Sequence, residues 1–312
     1  MEGKPRFERT HEIRRRKPRR AACSDDPFFQ RVIFFRGFSA LKAKNNIIEH
    51  LRKEAAVVTS ISNTEDRYLM LTCSKKVESH YHIYTDDQIP QMFSSHFLQL
   101  QDEFPLRELY SLLVRVPDIL NRNYIHVKSS FNRDLPFTMK KSLFDLGYIL
   151  DEELFYSIRL ADWKGVSPVR AEWGTKKSLI DGCRIMQAYD SLSINEAFAK
   201  EKLLRKYRFY EEGIIQLCVC YSEEGEPIGC AELYLDQDEN VAKIEEVAIL
   251  EPYQRKGYGS GLIKQMLVAA KQSSMESCYL VTSGSDQVKT FYEKLGFQQK
   301  GKLTTIFKYL FE

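Results

Sequence analysis

Three closely spaced glycines constrain this chain more than any other feature. In "EEVAILEPYQRKGYGSGLIKQM", residues 245–266, Gly257, Gly259 and Gly261 separate an apolar predicted strand from a predicted helix. The G-x-x-x-x-G-K-[ST] pattern of a Walker A loop is absent. A dinucleotide-binding loop needs G-x-G-x-x-G early in a βαβ unit, whereas this G-x-G-x-G follows a meander of predicted strands. Two interpretations stay open: a bare turn, or an anion site made by the free amides of a helix N-terminus.

The bulk composition is that of a globular protein with room for two domains. The chain has 312 residues, of which 43% are hydrophobic and 12% aromatic, enough for two cores. It contains no apolar run of about 18 residues, so we expect no membrane span. We also expect no signal peptide, because the N-terminus lacks an apolar core. The seven cysteines include no C-x-x-C pair, which favours buried thiols in a cytoplasmic protein and no metal.

Positive charge is concentrated at the N-terminus. Residues 1–24 contain nine lysines and arginines against three acids, which leaves 37 basic and 40 acidic residues for the rest of the chain. We predict that residues 1–26 form a disordered basic tail. Two interpretations of the tail stay open. It is either a solvated segment or cloning remnant without a role, or a contact with nucleic acid or another acidic surface through phosphate neutralisation.

Hydrophobic periodicity divides the chain at a connector around residues 161–170. Before the connector we predict a globular region from residue 27, with strands at "RYLMLTCS", "HYHIYT" and "NYIHVKSS". The stretch "SSHFLQLQDEFPLRELYSLLVRV" predicts mostly helix, interrupted at Pro105. After the connector we predict, in order, helices at 175–188 and 194–211, three strands within 214–250, a helix at 259–272, a strand at 277–283, and a final helix and strands.

A faint internal repeat relates the two halves of the chain. Residues 141–160 align with residues 290–310, with Leu146-Gly147-Tyr148 opposite Leu295-Gly296-Phe297. Each segment predicts a helix, a glycine turn and a pair of strands. The shared order of elements favours a duplicated domain.

The glycine loop resembles a family signature. Gln254-Arg255-Lys256-Gly257-Tyr258-Gly259 matches the Q/R-x-x-G-x-G/A motif of the GNAT N-acetyltransferases, and "FYEKLGF", residues 291–297, matches that family's later helix and turn. The resemblance implies the GNAT fold, an α/β fold of the α+β type with a mixed central sheet flanked by helices. Together with the repeat it predicts two tandem copies: a degenerate GNAT-like domain at 27–165 and an acetyl-CoA-binding domain at 166–312.

The resemblance also implies a cosubstrate and its contacts. Acetyl-CoA is expected in a V-shaped gap between the strand at 244–250 and the strand at 277–283. The backbone of Val247, Ala248 and Ile249 would pair with the pantetheine arm, and the loop amides would hold the pyrophosphate. Ser285 stands where the family usually has asparagine. The expected cofactor-binding residues are Val247, Ala248, Ile249, Gln254, Arg255, Lys256, Gly257, Tyr258, Gly259, Ser260 and Ser285.

The candidate catalytic residues follow from what acetyl transfer to an amine requires. Residues 161–312 contain no histidine, so a Ser-His or Cys-His nucleophile is unavailable there and direct attack by the amine is favoured. Glu245 and Glu246 are the candidate bases, although only one can face the site unless a bulge intervenes. By resemblance, Glu245 matches the catalytic glutamate of polyamine-acetylating relatives. Lys243 replaces the glutamate of histone-acetylating relatives, and Tyr292 matches the general acid.

The first half lacks the signs of catalysis. It has no matching glycine loop, and Leu143 stands at the position of Tyr292. His80 and His82 share a predicted strand face, where packing is favoured over a metal site. We therefore predict an acetyl-CoA-dependent N-acetyltransferase that acts on a small amine or exposed amino group, with no membrane partner and an open oligomeric state. The alternative is a non-catalytic acyl-CoA sensor or scaffold whose tail contacts nucleic acid.

Overall fold

A computed structural model describes residues 27–285 and 288–310. The predicted basic tail at residues 1–26 lies outside the described residues. The chain divides into two units, residues 1–53 and residues 54–312. In the first unit the described residues are helical, and Glu49 and Lys53 form an exposed ion pair with an N–O distance of 2.8 Å.

The first helix corrects one prediction from the sequence. α1 spans Pro27–Met70 without interruption, so the stretch from residue 27 is a long helix, and "RYLM" is its last turn rather than part of a strand. A short apolar run does not distinguish a strand from a buried helix face. Over a longer window the helical spacing is clear. Ile61, Glu65 and Tyr68 lie at positions i, i+4 and i+7, and all three contact the sheet.

Six further helices are described in the second unit. They are α2 Leu106–Leu120, α3 Phe137–Asp145, α4 Lys176–Ser193, α5 Glu196–Glu211, α6 Tyr258–Gln272 and α7 Lys289–Lys294. The helices predicted at 175–188, 194–211 and 259–272 are confirmed as α4, α5 and α6. The segment before Pro105 is a strand and turn rather than helix, and α2 begins directly after that proline.

The described strands form one mixed sheet of eleven. They are β1 Ser74–Val77, β2 Tyr81–Thr85, β3 Phe97–Leu100, β4 Tyr124–Lys128, β5 Ile149–Arg159, β6 Arg170–Trp173, β7 Ile215–Tyr221, β8 Pro227–Asp236, β9 Val241–Ile249, β10 Ser277–Ser283 and β11 Gln298–Tyr309. Their order is β1-β2-β3-β4-β11-β5-β10-β9-β8-β7-β6. The predicted mixed central sheet flanked by helices is confirmed.

The sheet contains a topological repeat. β1–β3 and β7–β9 are each three consecutive antiparallel strands, and each set is followed by a helix and a parallel partner, β4 or β10. A second helix and one long strand, β5 or β11, complete each series. The long strands are exchanged, since β5 pairs with β10 and β11 pairs with β4. They also pair with each other in the middle of the sheet.

The glycine turns were predicted correctly, but the strand pairs after them were not. Gly147 and Gly296 follow α3 and α7 with φ values of +79° and +95°, a conformation that glycine adopts without a steric cost. One continuous strand then follows each turn. In β11 the irregularity lies between Gln299 and Gly301, where the register against β5 shifts by one residue. A bulge therefore occupies the place where a hairpin was expected.

Residues 54–70 of α1 pack on the sheet face that carries the site described below. Ile61 is buried against Phe155 of β5 and Tyr279 of β10. α6 covers the opposite face through Leu262 and Met266, which are both fully buried. The two faces of β9 and β10 therefore meet different environments: an apolar core under α6, and a largely polar one under α1 and α5.

Candidate active site

A bulge separates the ends of β9 and β10. The two strands pair in parallel from Val241↔Ser277 to Lys243↔Tyr279, and the pairing goes no further. Glu246 has a φ of +51°, and the register of β9 against β8 shifts between Cys230 and Glu232. A bulge bends its strand and increases the local twist, so β9 diverges from β10 after Lys243. This divergence is the V-shaped gap expected from the sequence.

The same bulge brings both candidate glutamates to one face of the sheet. Glu245 contacts Lys243, which lies two residues earlier on the strand and faces α1. Glu246 contacts Lys202 and Lys206 of α5 on that face. Consecutive strand residues normally point to opposite faces, and the extra residue cancels that alternation. The sequence left this outcome open, and the structure places both side chains together.

Glu246 is held as a carboxylate by two lysines. Its Oε1 lies 2.7 Å from Lys202 Nζ and 3.1 Å from Lys206 Nζ. Burial alone would raise the pKa of Glu246, but the two ammonium groups outweigh it and lower the pKa to about 2. A carboxylate this acidic is a poor proton acceptor near neutral pH. Glu246 is therefore suited to anchoring the bulge and not to general-base chemistry.

A buried polar cluster supports the lysines. Glu232 of β8 is fully buried and accepts hydrogen bonds from Lys206 Nζ at 2.9 Å, from Tyr210 Oη at 2.5 Å and from Tyr68 Oη at 3.1 Å. Burial raises the pKa of both tyrosines, so they stay protonated and donate. Buried charges need such compensation. The cluster fixes α1 and α5 relative to the bulge.

Glu245 has a different environment. Lys243 Nζ lies 3.1 Å from Glu245 and 2.8 Å from Glu65 of α1, so the two carboxylates share one ammonium group. Glu65 also accepts a hydrogen bond from Tyr279 Oη at 2.9 Å. Burial raises the pKa of Glu245, and the neighbouring charges of Glu65 and Glu246 add to the rise while Lys243 opposes it. A carboxylate with a raised pKa is the kind of base that amine deprotonation requires.

The glycine loop forms an uncapped helix N-terminus. Gly257 is the N-cap of α6 with a φ of +91°, and no side chain caps the helix. The first intrahelical bond runs from Gly261 N to Gly257 O at 3.0 Å. The amides before it, at residues 258–260, are therefore open to an external acceptor. Arg255 and Lys256 are exposed beside them and add positive charge.

The three glycines have different roles. Gly257 supplies the left-handed turn. A Cβ on Gly261 would lie 2.2 Å from Val169 Cγ1, so that glycine allows close packing against the segment before β6. A Cβ on Gly259 would meet only Ile249 Cγ1, at an ordinary 3.7 Å. Nothing in the described chain requires glycine at 259, because a side chain there would meet only this ordinary contact.

The remaining loop and strand residues lie along one continuous edge. The Gln254 side chain donates to Ile249 O at 2.9 Å, which holds the loop against the end of β9. Ser260 Oγ donates to Gly257 O at 2.8 Å. Ala248 is buried in the pairing with β8, whereas Val247 and Ile249 are half-buried and pack on the α6 side. The expected pantetheine strand and pyrophosphate loop are thus adjacent.

Ser285 does not act as a helix cap. Val288 is the N-cap of α7, with no side-chain hydrogen bond, and Ser285 lies in the preceding turn. There the Ser285 and Ser283 hydroxyl oxygens are 2.7 Å apart, and Ser285 N donates to Ser283 Oγ at 3.1 Å. Serine forms such local bonds to the backbone readily.

Tyr292 lies on α7 on the α6 side of the sheet. Its ring is half-buried and packs against Phe291, Phe297 and Tyr156, with centroid distances of 5.3, 6.3 and 6.1 Å. Tyr292 O accepts the Phe297 N–H at 3.1 Å in the turn after the helix. The turn and the aromatic contacts fix the position of this side chain.

The sequence analysis missed the charged and polar residues that surround the glutamates. They are Glu65, Tyr68, Lys202, Lys206 and Glu232. The sequence of α5 did contain a signal for the two lysines. Lys202 and Lys206 are spaced i, i+4 on the helix face that also carries Phe198 and Phe209, and all four side chains are buried. Lysines on an apolar helix face are rarely buried without a partner. For Glu65 and Tyr68 no local signal existed, since their partners lie more than 160 positions away in the chain.

The described residues also bear on metal binding and on membrane insertion. Those residues contain no group of three or more His, Cys, Asp or Glu side chains arranged to hold a metal ion. His80 instead pairs with Asp102, with Nδ1 and Oδ2 3.0 Å apart. No helix there is both long enough and apolar enough to cross a membrane. The six described cysteines are all buried.

Comparisons with known proteins agree with this geometry. The Acetyltransferase (GNAT) family model matches residues 185–297. The uncharacterized N-acetyltransferase CgeE of Bacillus subtilis (strain 168) is 49% identical over 252 residues, which cover 80% of this chain and 97% of that protein. At this identity and coverage, the chain belongs to the GNAT N-acetyltransferase family, whose general chemistry is acyl transfer.

Two solved structures support the fold alone. A functionally unknown conserved protein from Staphylococcus epidermidis ATCC 12228 aligns with a TM-score of 0.65 at 16% identity, over 77% of this chain and 95% of that one. A GCN5-related N-acetyltransferase from Kribbella flavida aligns with a TM-score of 0.56 at 13% identity, over 80% and 94%. Both alignments cover most of this chain, so the similarity in fold extends beyond residues 185–297.

Proposed function

We propose that this protein is an acetyl-CoA-dependent N-acetyltransferase in which a primary amine attacks the thioester directly. The observation that carries the proposal is Glu245, a carboxylate of raised pKa on the bulged strand beside the V-shaped gap. The loop fits a pyrophosphate, because its amides are uncapped and a Cβ at Gly259 would fill otherwise open space. Acetyl-CoA supplies the activated acetyl group, and the chain supplies alignment and proton transfer.

Each step of the transfer has a residue assigned to it. Glu245 accepts a proton from the attacking ammonium group, which frees the nitrogen lone pair to form the new N–C bond. Tyr292 donates a proton to the sulfur as the C–S bond breaks. The acylated nitrogen then loses its second proton, which restores the Tyr292 hydroxyl, and Glu245 releases the first proton to solvent. The backbone of Val247 to Ile249 and the amides of residues 255–260 hold the cosubstrate in line. Glu246 stays ionised and holds the bulge. The products are the N-acetylated amine and free CoA.

We further propose that residues 166–312 form the acetyl-CoA-binding domain and residues 27–165 a degenerate partner. β3 ends at Leu100 and α2 begins at Leu106, directly after Pro105, so only five residues separate the strand from the helix. The first series therefore has no room for a glycine loop like the one before α6. Proline also removes one amide from that helix start. The buried thiols support a reducing compartment such as the cytoplasm.

Glu65 and Lys243 are expected to shift the pH–rate profile in opposite directions. Glu65→Gln removes a negative charge that raises the pKa of Glu245, and Glu245 then no longer shares the Lys243 ammonium group with a second carboxylate. The pKa of Glu245 should fall, so the acid limb of kcat/KM should move to lower pH. Lys243→Met removes the charge that lowers this pKa, so the limb should move to higher pH. The ionisable groups facing Glu245 are Lys243 and Glu246 on β9, Glu232 on β8, Tyr279 on β10, Glu65 and Tyr68 on α1, and Lys206 on α5.

Glu54→Gln is the matched control for Glu65→Gln. It removes a carboxylate from the same helix, one whose ion pair is with Lys300 at 2.7 Å, and should leave the acid limb in place. If Glu65→Gln and Lys243→Met moved the limb in the same direction, or left it unmoved, Glu245 would not be the titrating base.

A panel of primary amines tests the reaction itself. We expect release of free CoA thiol from acetyl-CoA with at least one small amine, and Tyr292→Phe should lower kcat by about 10²-fold or more while CoA affinity stays unchanged. Thiol release in a colorimetric assay measures the first quantity and calorimetry the second. Unchanged CoA affinity with no turnover on any amine would favour the non-catalytic sensor instead.

A further inference from the structure

A second polar cavity lies between α1 and the first series of strands. It has a volume of about 160 Å³ and is lined by residues of α1, β1–β5, β11 and adjoining loops. Two ion pairs face it: Lys75 with Asp66, with an N–O distance of 2.8 Å, and Lys128 with Glu153, with an N–O distance of 2.7 Å. A cavity with a few convergent polar groups is the usual form of a small-molecule site.

Register places this cavity where the second series holds its catalytic base. The parallel pairing of β3 with β4 ends at Gln99↔Lys128, and that of β9 with β10 ends at Lys243↔Tyr279. Two residues beyond those pairs are Gln101 and Glu245, and Gln101 lines the cavity. The first series therefore has a cavity at the position that corresponds to the base, and the Gln101 amide stands in place of the Glu245 carboxylate. A ligand can be held there without proton abstraction.

The ion pairs of the cavity are well anchored. Tyr84 Oη donates to Asp66 at 2.6 Å, and Lys128 Nζ lies 4.3 Å from the centre of the Phe97 ring. The Lys128 and Lys75 side chains are only 10% and 15% exposed. Partly buried ion pairs contribute little net stability compared with apolar packing. Their placement around a cavity is better explained by a ligand than by the stability of the fold.

The paired charges define the class of ligand. A molecule with a single charge would take one partner from an ion pair and leave the other charge partly buried and uncompensated, which is costly. A zwitterion can exchange with a pair and keep every charge matched, with its ammonium at Asp66 or Glu153 and its carboxylate at Lys75 or Lys128. A cavity of about 150 Å³ holds a benzene-sized molecule, so a free amino acid is of suitable size.

We propose that this cavity is a second small-molecule site that binds a free α-amino acid. The site differs from the acetyl-transfer centre in two features. No glycine loop precedes α2, which begins directly after Pro105, and Gln101 stands at the position of the base. Glu65 connects the two regions: it lines the cavity and accepts a hydrogen bond from Lys243, the partner of Glu245.

Ligand-observed NMR on the full chain tests the proposal. The probes are the common amino acids, each with its decarboxylated amine and its deaminated acid. We expect at least one amino acid to bind saturably, and its amine and acid to bind at least about tenfold more weakly, a difference of about 1.4 kcal/mol. Acetyl-CoA affinity, measured on the same sample, reports on the acetyl-transfer site independently. If no amino acid bound at millimolar concentration, the proposal would be overturned.

A charge-neutral pair of substitutions locates the binding. Lys128→Met with Glu153→Met removes one cavity ion pair without leaving an unpaired charge, so folding should be retained and amino-acid binding should fall at least about tenfold. Lys300→Met with Glu54→Met removes an ion pair of the same length, 2.7 Å, that does not line the cavity, and should leave binding intact. Equal binding in both double variants would place the amino acid elsewhere and refute the assignment.

Discussion

Glu245→Gln should reduce the rate of acetyl transfer by about 10²–10⁴-fold, the usual contribution of a positioned general base. Its effect on folding should be small. Burial raises the pKa of Glu245, which means that the ionised side chain costs the folded state free energy, and glutamine keeps the shape of this side chain without the charge. Lys243 keeps its ion pair with Glu65 at 2.8 Å. The variant should therefore retain its melting temperature and its affinity for acetyl-CoA.

Glu246→Gln should show the opposite behaviour. Removing this carboxylate takes one partner from Lys202 and Lys206, at a cost on the order of 3 kcal/mol in the free energy of unfolding. Because the pKa of Glu246 is lowered to about 2 in the folded chain, its contribution to stability is present above its unfolded pKa of about 4.5. That contribution should disappear as the pH falls towards 2. In the variant, this part of the acid sensitivity should be absent.

Thermal unfolding and steady-state kinetics on the two neighbouring variants separate the roles. The expected pattern is loss of turnover without loss of stability for Glu245→Gln, and loss of stability with retained turnover in the folded fraction for Glu246→Gln. If Glu246→Gln lost turnover while Glu245→Gln kept it, the two assignments would be reversed. A general-base role for either residue would be excluded if both kept turnover.

Gly259→Asp should abolish acetyl-CoA binding while the fold is retained. The substitution places a carboxylate among the amides of residues 258–260, where the pyrophosphate is expected, and like charges brought together cost several kcal/mol. We expect the dissociation constant to rise at least about 100-fold. The helix itself tolerates the change, because a Cβ at this position meets only Ile249 Cγ1 at 3.7 Å and an acidic residue in the first turn favours the helix dipole.

Gly261→Ala is the matched control within the same loop. Its Cβ would lie 2.2 Å from Val169 Cγ1, and overpacking of this kind costs about 1–3 kcal/mol in the free energy of unfolding. The folded fraction should still bind acetyl-CoA. Calorimetry and thermal unfolding on both variants give the comparison. Unchanged affinity in Gly259→Asp would mean that the glycines serve only the turn.

The elements closest to the site were predictable because their signals are local. The glycine loop, α6 and β10 each follow from residues within one short window: three glycines, a helical apolar stripe and a short run of consecutive apolar residues. Gly147 and Gly296 likewise mark their turns by backbone conformation alone. The family signature added the expected ligand of the loop, since spacing alone left a bare turn open as an alternative.

The environment that distinguishes Glu245 from Glu246 was not predictable in this way. It depends on a bulge in β9, on α5, and on Glu65 of α1, which is 178 positions from Lys243. The exchange of β5 and β11 between the two series is equally invisible in the sequence, because each long strand has the same local pattern whichever partner it pairs with. Long-range pairing, and not local preference, decides these features.

One acetyl-CoA is expected to bind per chain, at the loop before α6. Calorimetric titration of acetyl-CoA into the full chain tests it most directly, because it gives the number of sites together with the affinity. We predict one site, which Gly259→Asp removes. Two sites would show that residues 27–165 also bind the cosubstrate, and the absence of binding would contradict the acetyltransferase proposal itself.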